Sequence, residues 1–259
     1  MPRKGKKTMR QRIRKGILAF SMLMFPLTFF LLSPYVIILS ASTGVINGSA
    51  MVFGSLFLFS FLFSRIYCGW LCPGGAVQDM ISGANKRNWN SKGKNVSKYI
   101  IWAVWLSLIL LLWLKHLPLK GDFLFLYKFD GHYIMIYTIV MTIIYLFAIS
   151  TGRRGMCHSL CWMAPFMVIG ETVSDFLHIP RFRLKPKPDA CVSCGKCTKE
   201  CPMGLDISRM VKSGNTDSTE CISCLACVDI CPKHAIGFGI SQKRSHSLEQ
   251  ETILRKKEN

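Results

Sequence analysis

Histidine is scarce in this chain, six among 259 residues, and none falls in the middle of an apolar block. His116 and His132 stand at the ends of two such blocks, where loop positions are expected, so a bis-histidine haem inside a helical core is disfavoured. Charge is missing altogether from four stretches: Ile17 to Leu39, Val45 to Ser64, Tyr99 to Leu114 and Tyr133 to Ser150. A helix rises ~1.5 Å per residue and ~20 apolar residues span a ~30 Å hydrocarbon core, so these blocks read as membrane helices rather than buried soluble ones. The third reaches that length only with Lys115 snorkelling and an apolar continuation to Leu119.

Acidic residues are the third shortage, 14 against 33 Lys and Arg, for a net charge of +19. The positives border the apolar blocks. Eight precede the first, and Arg65, Lys86, Arg87, Lys92, Lys94 and Lys98 lie between the second and third, while "SASTG" carries none. That asymmetry predicts cytoplasmic termini and a cytoplasmic loop between helices 2 and 3, in a multi-pass protein of a prokaryotic inner membrane. Nucleic acid fits poorly as a partner, since the positives lack interleaved stacking aromatics. The basic leader resembles a signal peptide, but its apolar run exceeds a ~7–15-residue h-region, so a retained helix is expected.

The predicted fold class is an all-α four-helix membrane bundle with interfacial helices, followed by a C-terminal α+β domain that the twice-repeated CxxCxxCxxxCP spacing, at Cys191 to Pro202 and Cys221 to Pro232, reads as a bacterial-type two-cluster ferredoxin. A basic tail (1–16) precedes a transmembrane domain (17–180) with helices at about 17–40, 45–64, 99–118 and 132–150 and interfacial segments at 73–83 and 164–179. Trp70 and Trp162 read as interfacial belt residues. Glu171 and Asp175 mark the second interfacial segment, which could lie along the interface or dip partway in; either arrangement could wall a quinone site, and packing alone is the alternative.

"RFRLKPKPDA" reads as a basic linker into the ferredoxin domain (181–240), with a polar tail beyond (241–259). The domain holds "CVSCGKCTKECP" and "CISCLACVDICP", the same CxxCxxCxxxCP spacing twice. Three close thiolates wrap one cubane and the proline turns the fourth toward the other. The expected ligand sets are Cys191, Cys194, Cys197 and Cys231 for one [4Fe-4S] cluster, and Cys221, Cys224, Cys227 and Cys201 for the second. Zinc does not need this spacing, and disulfides would need an oxidising compartment. Between the motifs a short helix is expected, with Asp206 as N-cap and Gly214 as stop, and "KHAIGFGI" reads as the closing strand.

Four further cysteines form two pairs. Helix 2 ends in "SRIYCGWLCPGG" and helix 4 in "GRRGMCHSLCWMAP", each a basic residue followed by CxxxC, which suggests an internal repeat. Cys68, Cys72, Cys157 and Cys161 would share the ferredoxin's side of the membrane. Helical residues four apart have Cβ atoms ~5–6 Å apart, too far for an unstrained disulfide. The four thiols together could hold a third iron–sulfur or copper centre, and small buried hydrophobes are the alternative. His158 could assist this site or face solvent.

Together these motifs resemble the NapH-type polyferredoxins, which are related to the NosR, PceC and CcoG groups, over roughly residues 10 to 240. The resemblance implies electron transfer between a quinol pool and a redox partner protein, in the manner of a quinol dehydrogenase subunit. CcoG-type members imply copper reduction instead. Trp162 stands where the family pattern prefers proline. The flavin domain of the NosR and PceC groups has no room here, and "SGAN" at Ser82 to Asn85 lacks the hydroxyl residue that flavin attachment requires. The expected function is membrane electron transfer through two [4Fe-4S] clusters; the alternatives are a metal-handling assembly factor and a redox-sensing regulator.

Overall fold

A computed structural model describes residues 8–81, 96–124 and 131–242, with the side chain of His132 excepted. The basic residues Lys86, Arg87, Lys92 and Lys94, the "SGAN" stretch and nearly all of the polar tail lie outside the described residues.

The first apolar block does not form one helix. α1 (Met9–Leu23) ends one residue before α2 (Phe25–Thr28), which passes through a 3₁₀ turn (Phe29–Leu32) into α3 (Pro34–Ala41). The axis bends by 61° at the first break. Two prolines explain the departure from the expected 17–40 helix: Pro26 and Pro34 sit in the first turns of α2 and α3, where the missing N–H is tolerated, and each disfavours helical continuation before it.

β1 (Val45–Asn47) leads into α4 (Gly48–Phe63), whose N-terminus is capped by the Asn47 side chain accepting from the Ala50 N–H at 3.1 Å. α4 is apolar but only 16 residues long, roughly 24 Å. α5 (Ile66–Trp70) and α6 (Pro73–Ile81) follow, then α7 (Ser97–Lys115), β2 (Lys120–Asp122) and α8 (Gly131–Thr151). Two described helices are long and apolar enough to cross a membrane, Ser97–Lys115 and Tyr133–Thr151, or three if the bent pair counts as one span. β1 pairs with β2 in parallel, joining the loops at one end of the helices. At the other end α4 enters α5, and Ser97 at the start of α7 donates to the Ser159 carbonyl at 2.7 Å.

α9 (Gly155–Ser159) and α10 (Met163–Phe176) follow α8. The segment expected at 164–179 packs tightly on α4, with Ala164, Met167 and Ser174 buried. The approach is close because Gly170 faces Ser60 and the Phe57 carbonyl with no β-carbon between.

The stretch expected as a linker is a strand. β3 (Arg181–Pro186) pairs antiparallel with β4 (Ile236–Ser241), the predicted closing strand, in register from Arg181 opposite Ser241 to Pro186 opposite Ile236. Pro186 occupies the end of a two-stranded edge, where its missing donor costs little. Between the strands lie α11 (Lys196–Glu200), α12 (Ile207–Lys212) and α13 (Ala226–Ile230). α12 has the expected ends: the Asp206 carboxylate accepts from the Arg209 N–H at 3.2 Å, and Gly214 adopts φ +73°.

Candidate functional site

The two cysteine motifs fold alike. In each CxxCxxC loop the residues before the second and third cysteines' flanks turn left-handed: Ser193 and Gly195 in the first, Ser223 and Leu225 in the second. Such turns point successive N–H groups to one side, a concavity suited to anions and iron–sulfur sites. Cys191, Cys194, Cys197 and Cys231 line one cavity of about 360 Å³, mouth included. Cys201, Cys221, Cys224 and Cys227 line a second of about 330 Å³. Each cavity is thus lined by three cysteines of one motif and the fourth cysteine of the other, a donor set of the chemistry that a cubane takes. Burial pushes Cys201 up to about 11 and Cys221 up to about 12, so positive charge in the cavity is needed to draw the thiolates out.

The CxxxC pairs also fold alike. Cys68 donates its N–H to Arg65 and Cys157 to Arg154, both at 3.1 Å; Cys72 reaches back to the Tyr67 carbonyl at 3.0 Å and Cys161 to that of Met156 at 3.2 Å. The helix stops before the second cysteine in each case, at Trp70 and at Ser159. All four thiols are free, and ionisation of Cys72 is opposed by Cys68 on its own hairpin and by Cys157 and Cys161 on the other. Burial raises Cys72 and Cys157, and pushes Cys161 up to about 12. The Cys68 Sγ lies 3.5 Å from the Met167 Sδ, and the Gln78 amide donates to the Cys157 Sγ at 3.4 Å.

Two arginines precede the pairs at the same offset, Arg65 and Arg154, and both are fully buried. Arg154 grips Asp79 through Nε at 2.7 Å and Nη2 at 2.9 Å, and reaches the Cys68 carbonyl at 2.5 Å. Arg14 joins Asp79 at 3.0 Å. Arg65 donates to the Thr219 carbonyl at 2.7 Å and lies 3.4 Å from Glu220, which also pairs with the buried Lys98.

The ferredoxin portion is docked on this end of the helices. Trp70 Nε1 donates to the Ser223 carbonyl at 3.2 Å, Gln11 donates to the Cys224 carbonyl at 3.0 Å, and Arg153 donates to the Cys201 carbonyl at 2.7 Å. Arg10 pairs with Asp229. His158, expected to assist the cysteines or face solvent, is buried instead, with a ring nitrogen 3.1 Å from the Met203 carbonyl and Nδ1 3.3 Å from Glu220. Cys68, Cys157 and Met167 share one apolar core with Cys197, Cys201, Ile222, Cys224 and Cys227.

Trp70 thus contacts the second cysteine motif through Ser223, while Trp162 packs among helices with Phe166 and Trp113. Glu171 and Asp175 bind Arg181 at 2.7 and 2.6 Å instead of facing an interface. Sequence reasoning missed Gln11, Arg14, Asp79 and Glu220, which have no local pattern. Arg65 and Arg154 had one, the basic residue before each CxxxC.

Comparison with known proteins agrees with this geometry. The model of a 4Fe-4S binding domain matches residues 48–92, which include Cys68 and Cys72, and that of a 4Fe-4S dicluster domain matches 183–232. These matches place the chain in the class of proteins with ferredoxin-type 4Fe-4S domains. Its homologues include the ferredoxin-type protein NapH of Haemophilus influenzae, 25% identical over 78% of this chain and 70% of the relative. The putative electron transport protein YccM of Escherichia coli is 22% identical over 72% and 54%, and the methylamine utilization ferredoxin-type protein MauN of Methylobacillus flagellatus is 28% identical over 74% and 67%. The chain is thus similar to these ferredoxin-type and electron transport proteins. No solved structure matches it.

Proposed function

We propose that this is a membrane-bound electron-transfer protein in which Cys68, Cys72, Cys157 and Cys161 hold a third redox centre between the ferredoxin clusters and a quinone or partner cofactor. The proposed cubane ligands are Cys191, Cys194, Cys197 and Cys231 in one cavity, and Cys221, Cys224, Cys227 and Cys201 in the other. Bound clusters supply one-electron chemistry. The chain's own residues keep the thiols dry, bring the hairpins together and seat the ferredoxin portion against them.

The observation that carries this reading is Gly69, inside the first CxxxC, lying directly against the backbone of Ile222 and Cys224 in the second cluster loop. All proposed carriers then sit at one end of the helices, on the side that the basic loops assign to the cytoplasm. Crossing the ~30 Å apolar layer is left to a partner.

A dithionite-reduced full chain in detergent, mixed with a short-chain quinone, tests the path. Reoxidation should slow at least tenfold when the four CxxxC cysteines become serine, with the ferredoxin clusters retained. Equal rates contradict the relay.

One observation favours a second reading. The thiol of Cys68 beside the thioether of Met167 is a soft donor pair of the kind Cu(I) prefers. Against it, among the described residues no three His, Cys, Asp or Glu side chains converge closely enough for a single ion. A cluster separates its ligands at its corners, as the eight ferredoxin cysteines are separated here. Stoichiometric Cu(I) binding lost on Cys68→Ser and Cys161→Ser would favour copper handling.

A further inference from the structure

We propose that Arg65 and Arg154 are paired counter-charges for the centre at the two CxxxC hairpins, retaining it in the chain and raising its reduction potential. The inference deepens, and rests on, the reading of those four thiols as a third centre.

The first support is position. Each arginine stands three residues before the first cysteine of its pair, at the start of the same short helix, and both side chains are withdrawn from solvent. Burying one guanidinium is costly. Two buried at matching points of a repeat call for matching negative charge nearby.

The second is a local imbalance. Around the thiols the described residues bury Arg14, Arg65, Lys98 and Arg154 against two carboxylates, Asp79 and Glu220. The adjoining network sets Arg181 and Arg183 against Glu171, Asp175 and Asp217, and Glu171 also acts on Arg65, so its surplus acid offsets part of the imbalance and leaves the two groups together with one more cation than carboxylates. Neutral thiols leave the inner group with surplus positive charge, whereas a four-thiolate iron–sulfur centre is anionic and gains further negative charge on reduction. Charges near the sulfurs favour the more negative, reduced form when they are positive.

The third is an unsatisfied donor. Arg65 Nε is buried without a hydrogen-bond partner, although its Nη1 is held by Thr219 and Glu220. Burial opposes its charge, and Cys68, Glu220, Cys157 and Cys161 favour it, so the guanidinium interacts with thiols of both hairpins. A buried N–H in such surroundings is available to a sulfur acceptor. Arg154 is better satisfied, through Asp79 and the Cys68 carbonyl, and interacts with Cys157 and Cys72. Between them the two arginines act electrostatically on all four cysteines.

The test is an EPR-monitored redox titration of the full chain with its clusters, together with iron and sulfide per chain. Wild type is compared with Arg65→Gln and Arg154→Gln, with Arg65→Lys and Arg154→Lys, and with Arg153→Gln, whose side chain binds ferredoxin carbonyls instead. The glutamine variants should move the third signal to more negative potential and leave the two ferredoxin signals in place. Lysine should restore most of the shift, and Arg153→Gln should leave the third signal unmoved. If a glutamine variant loses the centre, iron falls by roughly four per chain, and retention in the lysine variant supports the counter-charge role. Glutamine variants titrating like wild type, or lysine variants failing as completely as glutamine ones, overturn it. A wild type holding only about eight irons and no third signal overturns the underlying third-centre reading instead.

Discussion

Gly69 faces the carbonyl oxygen of Ile222 so closely that a β-carbon at position 69 would fall inside van der Waals contact with it, and 3.4 Å from the Cys224 Cα. The glycine of the first CxxxC thus serves as the seat of the second cluster loop. Gly69→Ala should push the ferredoxin portion off this end, at a cost of about 1–3 kcal/mol. Hydrogen exchange across Cys221–Cys227 checks it: faster exchange is expected there, with Cys191–Cys197 less affected.

Asp79 is the acid that Arg14 and Arg154 share inside the helical end. Asp79→Ala leaves two buried guanidiniums without it and should destabilise the docked state by ~3–5 kcal/mol. Thermal unfolding in detergent measures the loss, and a variant within ~0.5 kcal/mol of wild type would show that the pairing contributes little.

Much of this was legible in the sequence, and the limits have physical causes. The eight ferredoxin cysteines declare themselves because ligand spacing is local, and α7 and α8 because apolar length is local. The break at residue 24 was also local, through Pro26 and Pro34, but uninterrupted hydropathy concealed it. The basic stretch of β3 reads as a linker because a strand of this kind is defined by its partner, β4. The contacts of Trp70, Gln11 and His158 are not legible for the same reason: their partners, Ser223, Cys224 and Met203, are distant in sequence and no periodicity announces them.

Glu220 gives a pH test. Burial alone would raise its pKa, but the close approach of the His158 ring and the charges of Arg65 and Lys98 hold it at about 2. A carboxylate lowered in the folded state stabilises it above the unfolded value of ~4.3, and that contribution is lost as pH falls from there through about 2. Trp70 fluorescence, which reports the docked interface, should show wild type outlasting Glu220→Gln near neutrality. The difference should shrink below pH ~4.3; a constant gap across that window contradicts the assignment.

Cys194 lines the first cavity and is exposed. The buried core of the ferredoxin portion includes Cys197, Cys201, Cys224 and Cys227 themselves, so metal bound there would supply folding energy as well as redox chemistry. Cys194→Ser should cost the first cluster and leave β3 and β4 protease-sensitive. A cluster-depleted variant that stays protease-resistant would falsify this coupling.

The central claim is that the membrane-edge thiols hold a redox centre, and iron and acid-labile sulfide per chain test it most directly. Wild type should carry more than the roughly eight irons of two cubanes, and a Cys68→Ser/Cys72→Ser/Cys157→Ser/Cys161→Ser variant should fall to that number with one EPR signal missing. Equal iron in both proteins, with identical spectra, would contradict the account and leave those four thiols to copper or to packing.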